Sequence, residues 1–360
     1  MANIVERYSC GIRYGVDPAS ASDIYLDKQT IQELQDGGHK LSVSGMSAYL
    51  KARQSTFSPV LLNWDMISKC NFNCPFCYIR NNTESKDIRF SDVRKILEAL
   101  ISEGLFEAYL SGGECLLLDD FIDIYTYLKK NGVFITVFTN GSLIDERHFQ
   151  CWKELPPSSV EITLYDNNFL SKPFENILKL REMGLHVQPK FTLTNNTFPY
   201  FEDVKQWAIK HKFELMVDTE LFDGSDVLHT NIASRYSLSL EEKKLLNPNR
   251  YKEVTTVCST RAGLPCKAKQ GTVHLNSELS LALCHKMKKR WDLKNISVRR
   301  AISGLQQLID RYANAKIHGC NGCIYSKMCD MCFVSAINKD GELYVPEGHC
   351  EHIYKYWSQY

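Results

Sequence analysis

The chain has 360 residues, 44% of them hydrophobic, and 43 basic against 42 acidic residues leave a formal net charge of +1. That balance gives no electrostatic reason to expect nucleic acid or an anionic membrane as a partner. Residues 1–10 hold no apolar run after a basic start, and no stretch reaches the roughly 18 apolar residues that cross a bilayer, so a cytoplasmic protein is expected.

Residues 1–58 contain one short helix candidate over 30–35, where Thr30 and Glu33 form a capping box and Gly37-Gly38 supplies the stop. From 59 to 221, short β-rich runs at 60–66, 106–110, 133–139, 160–165, 187–193 and 213–217 alternate with amphipathic segments. Val93, Ile96, Leu97, Leu100 and Ile101 make one apolar helical stripe that Gly104 ends. Phe121, Ile124, Tyr125 and Leu128 repeat the pattern up to Asn131-Gly132, and Phe174, Ile177 and Leu178 do so up to Gly184. Six such units imply a parallel sheet, because each crossover helix returns the chain in the same direction. Six is short of a closed eight-stranded barrel, so the expected fold is α/β, a partial (β/α)6 TIM-like barrel. Residues 222–257 read as a connector with a helix opened by Ser239 and Glu242, and 258–360 as a cysteine-rich extension with a helix near 298–312.

The outlier is cysteine, with 14 residues. In a chain expected to work in a reducing compartment, so many point to metal or redox chemistry. Cys10, Cys115 and Cys151 read as small hydrophobes. Cys70, Cys74 and Cys77 fall on a loop directly after the first barrel strand, at the end of the sheet where barrel chemistry is located. Three close thiolates can hold three irons of a [4Fe–4S] cube and leave the fourth open, or hold zinc with a distant fourth ligand.

This arrangement, three cysteines with an aromatic residue before the last, resembles the radical S-adenosylmethionine (SAM) superfamily. The second strand ends in Ser111-Gly112-Gly113-Glu114, the third in Thr139-Asn140-Gly141, and the fourth contains Thr163, each similar to a family motif at the same place. The resemblance implies that the open iron chelates SAM and that one electron cleaves it to a 5′-deoxyadenosyl radical. It also implies roles for particular residues: Phe76 against adenine, Gly112, Gly113 and Glu114 at the amino group, Asn140 as a further cofactor contact, and Thr163 near the ribose or carboxylate; Lys190, on the fifth strand, sits where a basic residue could pair with that carboxylate. Cys115 stands where relatives usually carry proline.

Cys258, Cys266, Cys284, Cys320, Cys323, Cys329, Cys332 and Cys350 resemble the SPASM extension, which holds two auxiliary [4Fe–4S] clusters. The family pattern assigns Cys258, Cys266, Cys284 and Cys332 to one cluster and Cys320, Cys323, Cys329 and Cys350 to the other. Two departures stand out: Cys329 and Cys332 are one residue closer than usual, and the turn at Asn276-Ser277-Glu278 lacks the common glycine.

Members of that family mostly modify peptides and proteins. The implied function is to cross-link a ribosomally made precursor peptide, with a flavodoxin- or ferredoxin-like reductant. Residues 1–58 are then a leader-peptide-binding element or a flap over the barrel. Sulfatase-maturing relatives carry an aspartate where this chain has His285, which disfavours that alternative; small-molecule chemistry and a plain iron–sulfur redox carrier are the others. Asp218 and Glu220, expected at the barrel mouth, are candidates to receive a proton, and no catalytic base is assigned.

Overall fold

A computed structural model describes residues 57, 59–79, 87–218, 235–238, 271–313, Val334, Ile337 and Tyr344, together with the backbone of four strands before residue 43. Those four strands are β1 (Asn3–Ser9), β2 (Ile12–Asp17), β3 (Ser22–Tyr25) and β4 (Lys40–Ser42). They form their own sheet in the order β3-β2-β1-β4, antiparallel except for the β1–β4 pair. This sheet was not read from the sequence. The helices expected at 30–35 and in the connector lie outside the described residues.

The barrel strands are β5 (Leu61–Asp65), β6 (Glu107–Ser111), β7 (Phe134–Thr139), β8 (Ser159–Leu164), β9 (Val187–Thr192) and β10 (Met216–Asp218). They lie side by side in sequence order and are parallel throughout, as the alternation predicts. Between them run α1 (Phe90–Ser102), α2 (Phe121–Lys130), α3 (Glu146–Glu154), α4 (Lys172–Glu182) and α5 (Phe201–Lys210). The structure is an α/β partial barrel.

Helix ends explain both the agreement and the one displaced strand. After α1, α2 and α4, the residues Gly104, Gly132 and Gly184 take positive φ, and each helix closes with a pair of back-hydrogen bonds. The amide of Gly104 reaches the Ile101 carbonyl and that of Leu105 reaches Leu100, a closure that needs left-handed backbone, which glycine supplies without strain. Lys212 does the same after α5 at φ 56°, and the Phe213 amide donates to the Ala208 carbonyl at 2.8 Å. Phe213 therefore belongs to the closing turn of α5, and the last strand begins at Met216, not at 213. A lysine gave no signal that a helix ended there.

On β6, β8 and β9, burial alternates. Leu62, Trp64, Ala108, Leu110, Ile135, Val137, Val160 and Ile162 are fully buried and face the helices, where Val93, Leu97, Leu100, Ile124, Leu128 and Ile177 meet them in one core. Their sequence neighbours on the strands point to the other face.

The sheet continues beyond β5. Strand β11 (Thr272–Leu275) pairs with it in parallel, and β12 (Ser280–Ala282) and β13 (Trp291–Asp292) follow antiparallel, giving nine strands. Helix α6 (Val298–Ala313) comes next, near its expected place. In the β11–β12 turn Leu279 adopts φ 62°, and Asn276 Oδ1 accepts from the amides of Glu278 and Ser280 at 3.2 and 2.8 Å. The turn thus demands the geometry a glycine would give, and a buried leucine supplies it.

Candidate active site

The C-terminal ends of the strands surround an open-mouthed cavity of about 680 Å³, its mouth included. Cys70, Cys74 and Cys77 line it, with Gly112, Gly113, Asn140 and Thr163 from the predicted set. Ser111, from the same motif as the two glycines, lines it too, and its other walls, which the sequence had not singled out, include Phe72, Phe138 and Tyr165.

The cysteine loop is held in three ways. First, the ladder between β5 and β6 continues past the strands: Met66 N donates to Ser111 O, Gly113 N to Ile67 O and Glu114 N to Lys69 O. A Cβ on Gly113 would stand 2.1 Å from the Lys69 carbonyl oxygen, so only glycine lets the turn close on the loop. Second, Tyr165 at the end of β8 sits between Phe72 and Phe76, with ring centroids 6.1 and 5.9 Å away. Third, Asn140 Nδ2 donates to Asn71 Oδ1 at 2.8 Å, and Asn71 Nδ2 donates to Ser142 Oγ at 2.8 Å.

Glu114 is 1% exposed, and its carboxylate is already engaged. Oε1 accepts from Thr139 Oγ1 at 2.8 Å and Leu116 N at 3.2 Å, and Oε2 from Asn140 N at 2.8 Å. It therefore ties the end of β6 to the end of β7. Burial raises its pKa above the ordinary value, and these three donors work against that. Phe76 packs on Tyr165 and on Tyr236, at 5.9 and 6.4 Å. Lys190 Nζ lies 3.3 Å from Asp218 Oδ2 and 5.9 Å from the Phe138 ring centroid, so its partner in the fold is the carboxylate at the end of β10. Glu220 lies outside the described residues.

Three thiols side by side in a half-buried loop are electrostatically costly as thiolates. Burial, then the neighbouring Cys77 and Cys70, push the Cys74 thiol up to about 12, and burial also raises Cys70. Such a site favours a cationic occupant, since a coordinated metal keeps thiolates deprotonated. Among the described residues no three His, Cys, Asp or Glu side chains converge on one ion position. The cysteines instead share one cavity, the arrangement a cube requires when each thiolate meets a different iron. The residues present fit a [4Fe–4S] cluster. Of the eight C-terminal cysteines only Cys284 is described, half-buried after β12, so Cys258, Cys266, Cys320, Cys323, Cys329, Cys332 and Cys350 lie outside the described residues.

His285 follows Cys284 and packs on Tyr78, the residue after Cys77, with centroids 5.0 Å apart. Burial lowers its pKa to about 4, so it is neutral at physiological pH.

The site is thus a parallel α/β half-barrel with a cysteine loop and a glycine turn at its mouth. Residues 64–195 match the family model of the Radical SAM superfamily. It is 30% identical over 112 residues to the Fe-coproporphyrin III synthase of Methanosarcina barkeri, covering 29% of this chain and 27% of that protein. It is 24% identical over 149 residues to the antilisterial bacteriocin subtilosin biosynthesis protein AlbA of Bacillus subtilis, covering 39% and 32%. The chain spans about a quarter to about half the length of the curated relatives it matches. Among solved structures, Streptococcus suis SuiB bound to S-adenosylmethionine superposes with a TM-score of 0.64 over 97% of this chain and 99% of that one. The same protein bound to precursor peptide SuiA gives 0.65 over 98% and 100%. At 15% and 13% identity this is a likeness of fold. No helix among the described residues is long and apolar enough to cross a membrane.

Proposed function

We propose that the protein is a radical SAM peptide maturase, which abstracts hydrogen from a ribosomally made precursor peptide to form a carbon–carbon or thioether cross-link. The observation that carries the reading is the single cavity shared by Cys70, Cys74, Cys77 and the Gly112-Gly113 turn. A cluster held by those thiolates, together with SAM, would supply the 5′-deoxyadenosyl radical. The chain's own part is to bind and orient. Gly112 and Gly113 bring backbone against the cofactor, Asn140 and Thr163 offer hydrogen bonds from the opposite wall, and Glu114 fixes the turn from beneath. Phe138, Phe72 and Tyr165 exclude water from the space between them.

The peptide reading is supported by the likeness along nearly the whole chain to a fold that has been solved with a precursor peptide, and by the subtilosin biosynthesis protein among the relatives. The β1–β4 sheet supports a leader-binding role for residues 1–58, because a small sheet can accept a peptide as an additional strand. In the same reading the eight C-terminal cysteines hold two further [4Fe–4S] clusters, and a flavodoxin- or ferredoxin-like protein supplies electrons. Small-molecule chemistry is the second reading, favoured by the 30% identity to Fe-coproporphyrin III synthase.

Anaerobic reconstitution tests the cluster count: three cubes require ~12 irons per chain with matching sulfide, and ~4 would remove the two auxiliary clusters. Under reduction the loaded protein should release 5′-deoxyadenosine from SAM; none would end the radical reading. Incubation with a co-encoded short peptide should yield a product lighter by two hydrogens. Turnover of a tetrapyrrole with no change to any peptide would favour the second reading.

A further inference from the structure

Asp65, the last residue of β5, lies behind the cavity wall. Its Oδ2 meets His274 Nε2 on β11 at 2.8 Å. Its Oδ1 accepts from Ser111 Oγ at 3.1 Å and from the Tyr78 hydroxyl at 3.4 Å. On the far side of the imidazole, Arg290 Nη1 lies 3.1 Å from His274 Nδ1, and Arg290 Nη2 donates to the His285 carbonyl at 3.0 Å. Asp65 is 9% exposed and His274 3%.

The donor inventory assigns the tautomer. A guanidinium can only donate, so Nδ1 of His274 accepts, and the single proton of the neutral ring sits on Nε2, aimed at Asp65. The ladder runs from a cationic arginine through a neutral imidazole to a carboxylate, and its charges balance within the buried region. Breaking one rung leaves a buried charge uncompensated, which is the expensive way to disturb such a network.

Asp65 joins three pieces of chain through one carboxylate. Tyr78 follows Cys77, Ser111 precedes Gly112, and His274 and Arg290 belong to the C-terminal hairpin region, 209 residues away from Asp65 in the case of His274. We propose that Asp65 is a positioning residue through which the β11–β12 hairpin holds the cofactor pocket in shape, with His274 acting as a fixed neutral bridge. This rests on the reading of the cavity as a SAM pocket. It adds that SAM affinity is set by two residues, His274 and Arg290, that do not line the pocket.

Glutamine offers the same pair of groups as the neutral ring, an amide N–H for Asp65 and a carbonyl for Arg290, but it cannot carry the charge of an imidazolium. The experiment compares His274→Gln and His274→Leu in the reconstituted protein, by equilibrium binding of radiolabelled SAM and by hydrogen exchange of residues 66–79 and 111–118 without SAM. H274Q should bind SAM like the parent and protect both segments equally. H274L should bind about ten-fold more weakly and exchange faster in both. If H274L does not fold, Arg290→Met carries the comparison, with a loss of affinity and of protection expected in the same two segments. Parent-like binding and exchange in the Leu or Met variant would overturn the proposal. A Gln variant as impaired as the Leu variant would also overturn it, because the ring's charge would then matter. A parent protein that binds no SAM, yet loses protection only in H274L, would refute the SAM reading and leave the hairpin's hold on the pocket intact.

Discussion

On β8, Val160, Ile162 and Leu164 turn toward the helices and are buried, while Glu161 and Thr163 between them face the other way and stay half-exposed. The split recurs on β6, where Ala108 and Leu110 are buried and Tyr109 and Ser111 are not, and on β9, where Phe191 is buried and Lys190 is half-exposed. Ser111, Phe138 and Thr163 on the open face line the cavity. One face of the sheet thus makes the core and the other is left available to ligands. A strand can serve both because its side chains alternate, so changes on the two faces should separate stability from binding.

The sharpest separation is expected at the cysteine loop. Replacing Cys70, Cys74 and Cys77 together by alanine should abolish 5′-deoxyadenosine formation, while circular dichroism and the melting transition stay close to the parent's; persistent SAM cleavage would refute the site. On the buried face, Ile162→Ala should cost ~2–5 kcal/mol of unfolding free energy, read from denaturant titration. Its neighbour Thr163→Val, on the cavity face, should leave that titration nearly unchanged and weaken SAM binding several-fold, about 1 kcal/mol. Equal effects of the two on stability would break the comparison. Gly113→Ala should cost ~1–3 kcal/mol and impair SAM binding together, because the added methyl collides with the Lys69 carbonyl where turn and loop meet.

The smallest effect concerns Glu161, whose carboxyl burial raises above its ordinary value of 4.5, with Lys190 opposing the shift. Folding then favours the protonated acid, so the stability it contributes is complete below 4.5 and is lost as pH rises through the raised value. Glu161→Gln should remove that decline, and midpoints of denaturant unfolding measured at steps through this range would show the flattening.

Much of this was legible in the residues. The period-2 and period-3.6 runs placed five of the six barrel strands, because both signals are local, and glycines marked three of the helix ends. Helix α3 escaped because its stripe is only His148, Phe149 and Trp152 in an otherwise polar segment, although Asp145 caps it by accepting from the Arg147 and His148 amides. Helix α5 was missed for the same reason, with Val204, Trp207 and Ala208 as its buried side. Cys70, Cys74, Cys77 and the glycine turn stood out because their chemistry needs fixed spacing. Tyr165 was visible only as a strand residue, and its position between Phe72 and Phe76 depends on β8 meeting the cysteine loop. Asp65, His274 and Arg290 left no pattern at all, since nothing in one stretch of sequence announces a partner on a distant strand.

The pairing of β5 with β11 also bears on how the protein is made. Leu61, Leu62, Asn63 and Trp64 emerge from the ribosome long before Thr272 to Leu275 exist to pair with them. Until then β5 offers an uncovered backbone edge beside apolar side chains, the kind of surface that recruits a strand from another chain. Nascent or truncated forms ending before residue 272 should therefore be prone to aggregate, and slow translation between the two strands would lengthen the exposure.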